Sequence, residues 1–371
     1  MFKYHNPSKI IFETGILENK KKLKEIIGDG EYCIFTYSDE VFKRYTNQII
    51  DALGKPKLIV NNILPNPDYK NLKDICKEFS EKCENIKFAI ALGGGSVIDT
   101  AKFLVLGKGN FEKTVNYLEK KVTDFNSTDI DLISIPTTAG TGSELTCWAT
   151  IWDEENQRKH SLIHPSLFSK ISIFDSKLTL SLPKKITIET SLDAMSHSFE
   201  SIWNINSNPV SNIHARNSIS LILKNLPLLI QDLKNINLRE EIMRASMFAG
   251  LAFSNTKTAI SHSISYPITL KYKIPHGIAC SFTLPIILKS VQGLDQTCDK
   301  NIKSLFPNFE DAPNKLREFF ENLNVSTNFR DYIGNANDWD LIVKDAFGGE
   351  RGKNFIGSYK KVLEAQELLG Y

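Results

Sequence analysis

FAIALGGGSVIDTAK, residues 88–102, decides the fold. Residues 88–92 form an unbroken apolar run, short enough for a strand buried on both faces. Gly93, Gly94 and Gly95 then break the chain. Apolar residues at helical spacing resume over 98–106. A strand opening through glycines into a helix is half of a βαβ unit. The same alternation continues outward. Upstream, residues 32–36 read as a buried strand, 38–53 as a helix, 58–63 as a strand and 71–83 as a helix. Downstream, residues 131–135 read as a strand that runs into Pro136, Thr137 and Thr138. This order predicts an α/β domain with a parallel sheet covered by helices on both faces. Beyond Asp175 the strand signals fade. Pro183 opens a helical stretch to about Trp203, and helices are expected over 210–225, 238–253, 259–266 and 277–290, with three shorter ones to follow. The expected division is an α/β domain at 1–180 and an all-α domain at 181–371. With no repeat and no low-complexity linker, the two are expected to pack closely around a cleft.

Composition bounds the function. The 371 residues are 42% hydrophobic and 24% charged, with a formal net charge of +2. That balance gives no general pull toward nucleic acid or an anionic membrane. Any taste for an anionic substrate must come from a few local residues. The opening MFKYHNPSKIIFETG lacks the pattern of a secretory signal, and nothing approaches the ~20 apolar residues of a membrane span. Six cysteines without a close CxxC pair read as reduced thiols of a cytoplasmic protein, mostly buried for structural reasons.

Two loops suit a nucleotide. Glycines let the backbone approach a ligand, and the first amides of the following helix point toward an anion. Gly94, Gly95 and Ser96 stand at the carboxyl edge of a parallel strand, where such sheets bind ligands. The pattern is not GxGxxG, and alone it serves equally as a tight turn. A second loop, PTTAGTGSE at 136–144, offers hydroxyls after another strand. Two such loops on one sheet edge point to a dinucleotide.

The helical half carries a possible ligand set. Asp193 and His197, four apart in SLDAMSHSFE, share one helical face. That spacing serves a metal or a plain hydrogen-bonded pair. His262 lies in TAISHSISYP and His276 follows Pro275. Spacing alone does not bring the two segments together. Converged, they make one oxygen and three nitrogens, a set suited to Fe²⁺, Zn²⁺, Mn²⁺ or Co²⁺ rather than Ca²⁺ or Mg²⁺. Such a centre polarises a carbonyl. Glu200, a turn further along that face, is a candidate to orient a ligand.

Together these segments resemble the iron-containing (group III) alcohol dehydrogenase family. GGGSVIDTAK at 93–102, PTTAGTGSE at 136–144, FDSKLTLSLP at 174–183, SLDAMSHSFES at 191–201, FAGLAFSN at 248–255 and IPHGIA at 274–279 stand in family order over nearly the whole chain. The resemblance implies a dehydroquinate synthase-like architecture, a dinucleotide-binding domain with a helical metal-binding domain and the metal between them. It implies Asp193, His197, His262 and His276 as metal ligands, for Fe²⁺ with Zn²⁺ as an alternative. Gly94, Gly95, Ser96 and Asp99 take the places of the pyrophosphate loop, while Thr137, Thr138, Thr141 and Ser143 take those of the second cofactor loop. Lys159 matches a lysine on the nicotinamide side. A homo-oligomer is expected on the same ground.

Three departures bear on chemistry. Tyr37, followed by Ser38, stands where the family often has an Asp that favours NAD, so NADH and NADPH both remain open; Asp39 is the nearest carboxylate. Tyr266 replaces a histidine implicated in proton relay, and a phenol of ordinary pKa near 10 is a poor base at neutral pH. Lys257 stands where small or apolar residues are common and, with Arg158 and His160, suggests a negatively charged substrate. The expected reaction is metal-dependent, NAD(P)H-linked reduction of a small aldehyde to a primary alcohol. A looser likeness to the phosphonoacetaldehyde reductase branch suggests phosphonoacetaldehyde, giving 2-hydroxyethylphosphonate, with Lys257 pairing the phosphonate and Tyr266 in the relay. The alternatives are a general small-alcohol or diol dehydrogenase, a sugar-phosphate cyclase-type lyase that recycles NAD, and a binding protein without catalysis.

Overall fold

The computed structural model describes residues 1–156 and 158–371. The chain divides into two compact units. One comprises Asn6–Thr138 and Gly142–Ser181; the other comprises Met1–His5, Ala139–Thr141 and Leu182–Tyr371.

The first unit is built on a six-stranded sheet. Its strands are β1 (Lys9–Phe12), β2 (Tyr32–Phe35), β3 (Leu58–Val60), β4 (Phe88–Gly93), β5 (Asp131–Pro136) and, after an antiparallel pair formed by β6 (Trp148–Asp153) and β7 (Arg158–Ile163), β8 (Ile171–Phe174). The order is β1-β8-β5-β4-β2-β3, and every neighbouring pair is parallel. Five helices accompany it: α1 (Lys20–Ile27), α2 (Glu40–Leu53), α3 (Tyr69–Lys82), α4 (Gly95–Gly107) and α5 (Phe111–Leu118).

The period of two along the strands sorts the core. Cys33, Phe35, Ala89 and Ala91 join one buried cluster, with residues of α3 and α4. Tyr32, Ile34, Phe88, Ile90 and Leu92 join the other, with residues of α1 and α2. Both faces are covered, so these strands read as unbroken apolar runs. β1, β8 and the β6–β7 pair lay outside the sequence expectation. KIIF and ISIF are four-residue strands, and RKHSLI carries mostly half-exposed polar residues. None shows the long apolar or strictly alternating signal that marks a strand.

The second unit contains α6 (Lys184–Ile202), α7 (Pro209–Leu229), α8 (Ile236–Thr256), α9 (Ile260–Tyr272), α10 (His276–Ala279), α11 (Leu284–Val291), α12 (Gln296–Leu305), α13 (Ala312–Asn322), α14 (Arg330–Ile333), α15 (Ala336–Gly348) and α16 (Tyr359–Leu368). Two expectations are corrected. The single helix over 277–290 is two helices, α10 and α11. Pro285 stands in the first turn of α11, where its missing N–H is harmless, whereas a continuous helix would place it in the interior. Five helices, not three, follow α11. None of the helices among the described residues is long and apolar enough to cross a membrane.

Candidate metal centre and cofactor loops

Helix α6 runs through the interior of its unit, and every residue from Ser191 to Ile202 is buried. Three of its four serines satisfy themselves locally, while Ser196 donates to the carbonyl of Cys280 at 2.7 Å. Ser191, Ser198 and Ser201 each donate to the carbonyl four residues back, at 2.7, 2.8 and 2.9 Å. Asp193, His197 and Glu200 must find partners on other helices, because an unpaired buried charge is costly. Gly277 makes the approach of α10 to α6 possible. A Cβ there would lie 1.9 Å from the carbonyl oxygen of Glu189, so only glycine lets α10 bring His276 close.

The result is convergence. One donor atom each from Asp193, His262, His276 and Cys280 lies within 4.8 Å of the others. His262 Nε2 is 3.4 Å from Asp193 Oδ1, and His197 Nε2 is 3.7 Å from the same oxygen. The His197 ring stacks between Phe253, at 3.9 Å, and His262, at 4.5 Å between centroids. The His262 ring meets that of His276 at 5.4 Å. Glu200, fully buried, takes the outer nitrogen of His262: Nδ1 lies 2.7 Å from Oε2. The same carboxylate accepts the backbone N–H groups of Ala259 (2.9 Å) and His262 (3.1 Å). Glu200 therefore fixes the His262 ring with Nε2 facing inward. That nitrogen is buried and has no hydrogen bond of good geometry among the described residues. A buried donor so placed beside a carboxylate and further imidazoles fits a metal ion.

The electrostatics agree. Burial opposes the charge on Asp193, but His197, His262 and His276 hold it well below the usual carboxylate range. Burial likewise opposes the charge on Glu200, yet His262 and the two N–H donors keep its pKa lowered. Burial pushes His197 down to about 4, so its imidazole is neutral and able to ligate at neutral pH.

Tyr266 lies one turn beyond His262 on α9. Its ring is nearly parallel to that of His276, with centroids 6.2 Å apart. Burial pushes its hydroxyl up to about 12. The guanidinium of Arg351 sits 4.8 Å from the Tyr266 ring centroid, and its Nε donates to Thr258 Oγ1 at 3.0 Å. Lys257 ends α8 with φ 65° and an exposed side chain, while its carbonyl accepts from Asn204 Nδ2.

In the sheet unit, the carboxyl ends of β2 and β4 adjoin where the strand order reverses, the usual place for a ligand. Gly93 turns the chain there; a Cβ on it would meet Val97 Cγ2 at 2.4 Å. Gly94 precedes α4 without a side-chain cap, a setting in which the first amides of a helix can meet an anion. Tyr37, at the end of β2, hydrogen-bonds Ser96. Asp39 is occupied as the N-cap of α2, accepting from the amides of Val41 and Phe42. Thr137 donates its amide to Gly93 O at 3.1 Å, and Thr138 packs against Gly94. Asp99 binds both the hydroxyl of Ser143 and, at 2.9 Å, the amide of Thr150. Buried Lys102 donates to the carbonyls of Ser143 (2.6 Å), Thr146 (2.8 Å) and Trp148 (2.8 Å). Asp99 and Lys102 thus tie the second loop to α4. Lys159 lies on β7, 5.2 Å from the Trp152 ring centroid. Thr141 falls in the Ala139–Thr141 segment, grouped with the helical unit.

Comparison with known proteins shows the family. Residues 7–176 match the iron-containing alcohol dehydrogenase family, and residues 187–365 match the C-terminal domain of the same family. The chain belongs to the iron-containing alcohol dehydrogenase family. It is an NAD-linked oxidoreductase of that family, acting at the level of alcohols and aldehydes. It is 34% identical to a probable alcohol dehydrogenase, EutG, of Escherichia coli over 219 residues, 59% of this chain and 55% of that protein. It is 28% identical to the NAD-dependent methanol dehydrogenase of Bacillus methanolicus over 92% of each chain. It is also 28% identical to the sulfoacetaldehyde reductase of Bilophila wadsworthia over 71% of this chain and 70% of that one. In fold it resembles the sulfoacetaldehyde reductase of Bifidobacterium kashiwanohense, solved with NAD⁺, at a TM-score of 0.89 and 24% identity, covering 100% of this chain and 98% of the other.

As a member of this family the chain shows two neighbours of the centre that sequence reasoning passed over. Cys280 stands four residues after His276, and that spacing was a readable signal. Arg351 is distant in sequence from every other group at the site, and no local pattern marks it.

Proposed function

We propose that this chain catalyses the reversible NAD(P)H-linked reduction of a small aldehyde bearing an anionic group to the primary alcohol, with phosphonoacetaldehyde as the foremost substrate. The observation that carries the anionic preference is Arg351 over the Tyr266 ring, with that ring stacked toward the ligand His276. The sulfoacetaldehyde reductase among the relatives acts on an aldehyde of the same shape and charge type, which supports the reading. An anionic head group gains charge-assisted hydrogen bonds from a guanidinium, and Lys257 adds a second positive charge.

The proposed roles follow from the residues. Asp193, His197, His262 and His276 hold Fe²⁺ or Zn²⁺, which supplies Lewis acidity toward a carbonyl or alkoxide oxygen. Glu200 keeps His262 in the tautomer that presents Nε2. Tyr266, neutral at working pH, holds a proton at its hydroxyl and donates rather than accepts. Gly94, Gly95, Ser96, Thr137, Thr138, Thr141, Ser143 and Lys159 position the dinucleotide, with Tyr37 and Asp99 bracing its loops, and hydride exchange at the nicotinamide is the cofactor's own chemistry.

The test is a panel of phosphonoacetaldehyde, sulfoacetaldehyde, acetaldehyde and propanal with NADH and NADPH, using protein reloaded with Fe²⁺ or Zn²⁺. The expected result is a kcat/KM for the anionic aldehydes at least tenfold above the neutral ones, about 1.4 kcal/mol, lost in Arg351→Ala. Equal turnover of acetaldehyde and phosphonoacetaldehyde, untouched by Arg351→Ala and Lys257→Ala, would overturn the substrate reading. A net change in nicotinamide absorbance separates a dehydrogenase from a lyase that recycles its cofactor. Activity surviving both a chelator and His262→Ala would remove the metal from the reaction.

A further inference from the structure

We propose that Cys280 is a sulfur donor to the metal ion of this centre, added to the proposed ligands Asp193, His197, His262 and His276, and that it biases the site toward thiophilic ions such as Zn²⁺ and Co²⁺ over Fe²⁺. The inference rests on the reading of these residues as a metal centre. It starts from the donor geometry. Cys280 Sγ lies 3.4 Å from Asp193 Oδ1, the same separation as His262 Nε2 from that oxygen. Bonds of roughly 2.0–2.3 Å to one ion place neighbouring donors about 3–4 Å apart. The Sγ–Oδ1 and Nε2–Oδ1 edges already have that length. The donor atoms of Asp193, His262, His276 and Cys280 all lie within 4.8 Å of one another.

The surroundings of the sulfur point the same way. Cys280 is fully buried, the common fate of a cysteine that acts as a small apolar residue. Yet its Sγ faces a carboxylate and two imidazoles, with Asp193 Oδ1 at 3.4 Å and Gly277 O at 3.5 Å as acceptors for its single proton. The position is fixed from behind, because Ser196 Oγ donates to the Cys280 carbonyl at 2.7 Å and ties α6 to this turn. The thiol also shares a helical turn with His276, so one short segment aims both donors at the same point. An ion held by Asp193, His262 and His276 meets this sulfur as its next neighbour. On binding, the thiol proton passes to solvent and the Sγ–H···Oδ1 hydrogen bond gives way to a shared cation. A thiolate in place of a further oxygen or nitrogen donor favours the softer ion.

The experiment uses the full chain, stripped of metal and reloaded with Zn²⁺ or Co²⁺. X-ray absorption at the zinc edge is expected to show one sulfur scatterer at about 2.3 Å, absent from Cys280→Ser. The Co²⁺ protein is expected to show a near-ultraviolet sulfur-to-metal charge-transfer band beside its visible bands. Cys280→Ser should keep the visible bands, lose the charge-transfer band, and shift competition between Zn²⁺ and Fe²⁺ at least tenfold toward Fe²⁺. A shell of nitrogen and oxygen alone in the unmodified protein overturns the role of Cys280 and leaves the metal centre standing. A charge-transfer band that persists in Cys280→Ala also overturns it. Failure of the unmodified protein to take up either ion overturns the centre itself and this inference with it. Should the variants fail to fold, the sulfur shell of the unmodified protein alone decides.

Discussion

Glu200→Gln isolates one carboxylate oxygen's contribution to metal affinity while keeping the volume of the side chain. Glu200 accepts three hydrogen bonds in a fully buried position, from His262 Nδ1 and from the amides of Ala259 and His262. Alanine would leave all three donors unsatisfied, at about 1–3 kcal/mol each, and would confuse folding with ligation. Glutamine retains one acceptor oxygen but turns an N–H₂ toward a donor. It also replaces a charge-assisted bond to His262, worth about 1.5–3 kcal/mol, by a neutral one of about 1 kcal/mol. The net loss is about 1–2 kcal/mol, concentrated on the orientation and basicity of the His262 ring. Removing such an outer partner of a ligating histidine typically weakens metal binding by about 10–100-fold. The expected result is a metal dissociation constant raised within that range, measured by competition with a chromophoric chelator at neutral pH. Circular dichroism of the metal-free protein should be unchanged. A dissociation constant within twofold of the unmodified protein, while His262→Ala abolishes binding, would refute the claim that Glu200 acts through His262.

Other outcomes follow from buried groups away from the centre. Lys102→Met removes a donor from the carbonyls of Ser143, Thr146 and Trp148, of which those of Ser143 and Trp148 keep Thr146 as a partner, so we expect a loss of about 1–3 kcal/mol in denaturant unfolding and weaker NAD(H) binding by calorimetry; an unchanged midpoint would contradict the loop-anchoring role. Burial pushes the Glu144 carboxyl up from 4.5 to about 7. The folded chain then holds a proton that the unfolded chain releases between these values, so this group makes stability fall as pH rises through that window. Glu144→Gln removes the effect, and its stability relative to the unmodified protein should grow by up to about 3 kcal/mol from pH 4.5 to pH 7; a pH-independent difference would argue against it. With its hydroxyl pushed up to about 12, Tyr266 serves as a donor, so Tyr266→Phe should lower kcat by less than about tenfold and leave the neutral-pH profile intact; loss of an ionisation near neutrality would assign it the role of a base instead.

The parts of this molecule that were legible in sequence share a physical cause. β4 and β5 are buried on both faces and end in loops of glycine, threonine and proline, so composition alone marks them. The proposed ligand His276 is likewise flagged by a neighbour: Gly277 is required by a backbone approach of 1.9 Å for any Cβ. What escaped were features whose signal is tertiary. β8 is four residues long and completes the sheet only by pairing with β1 and β5. The ammonium of Lys102 looks like an ordinary helical lysine until three carbonyls from the second loop surround it. Arg351 reaches Tyr266 from beyond α15, across 85 residues of chain.

Helix α6 shows why the metal set and the fold are one problem. Its buried polar residues fall into two classes. Ser191, Ser198 and Ser201 bond backward within the helix, whereas Ser196 crosses to the Cys280 carbonyl. Asp193, His197 and Glu200 cannot be satisfied that way, because their groups lie beyond the reach of the helix's own carbonyls or carry charge. Each is met by a group from another helix: His262 and the amides of α9's first turn for Glu200, His262 and Cys280 for Asp193, and Phe253 of α8 for the face of His197. Burying these charged groups works against folding unless the geometry is complete. The helices α8, α9 and α10 are therefore placed by the same contacts that assemble the donors. A substitution that loosens the donors should loosen the packing around α6 as well, whereas a change in Arg351 or Lys257, which lie outside this network, should alter substrate choice and leave the fold intact.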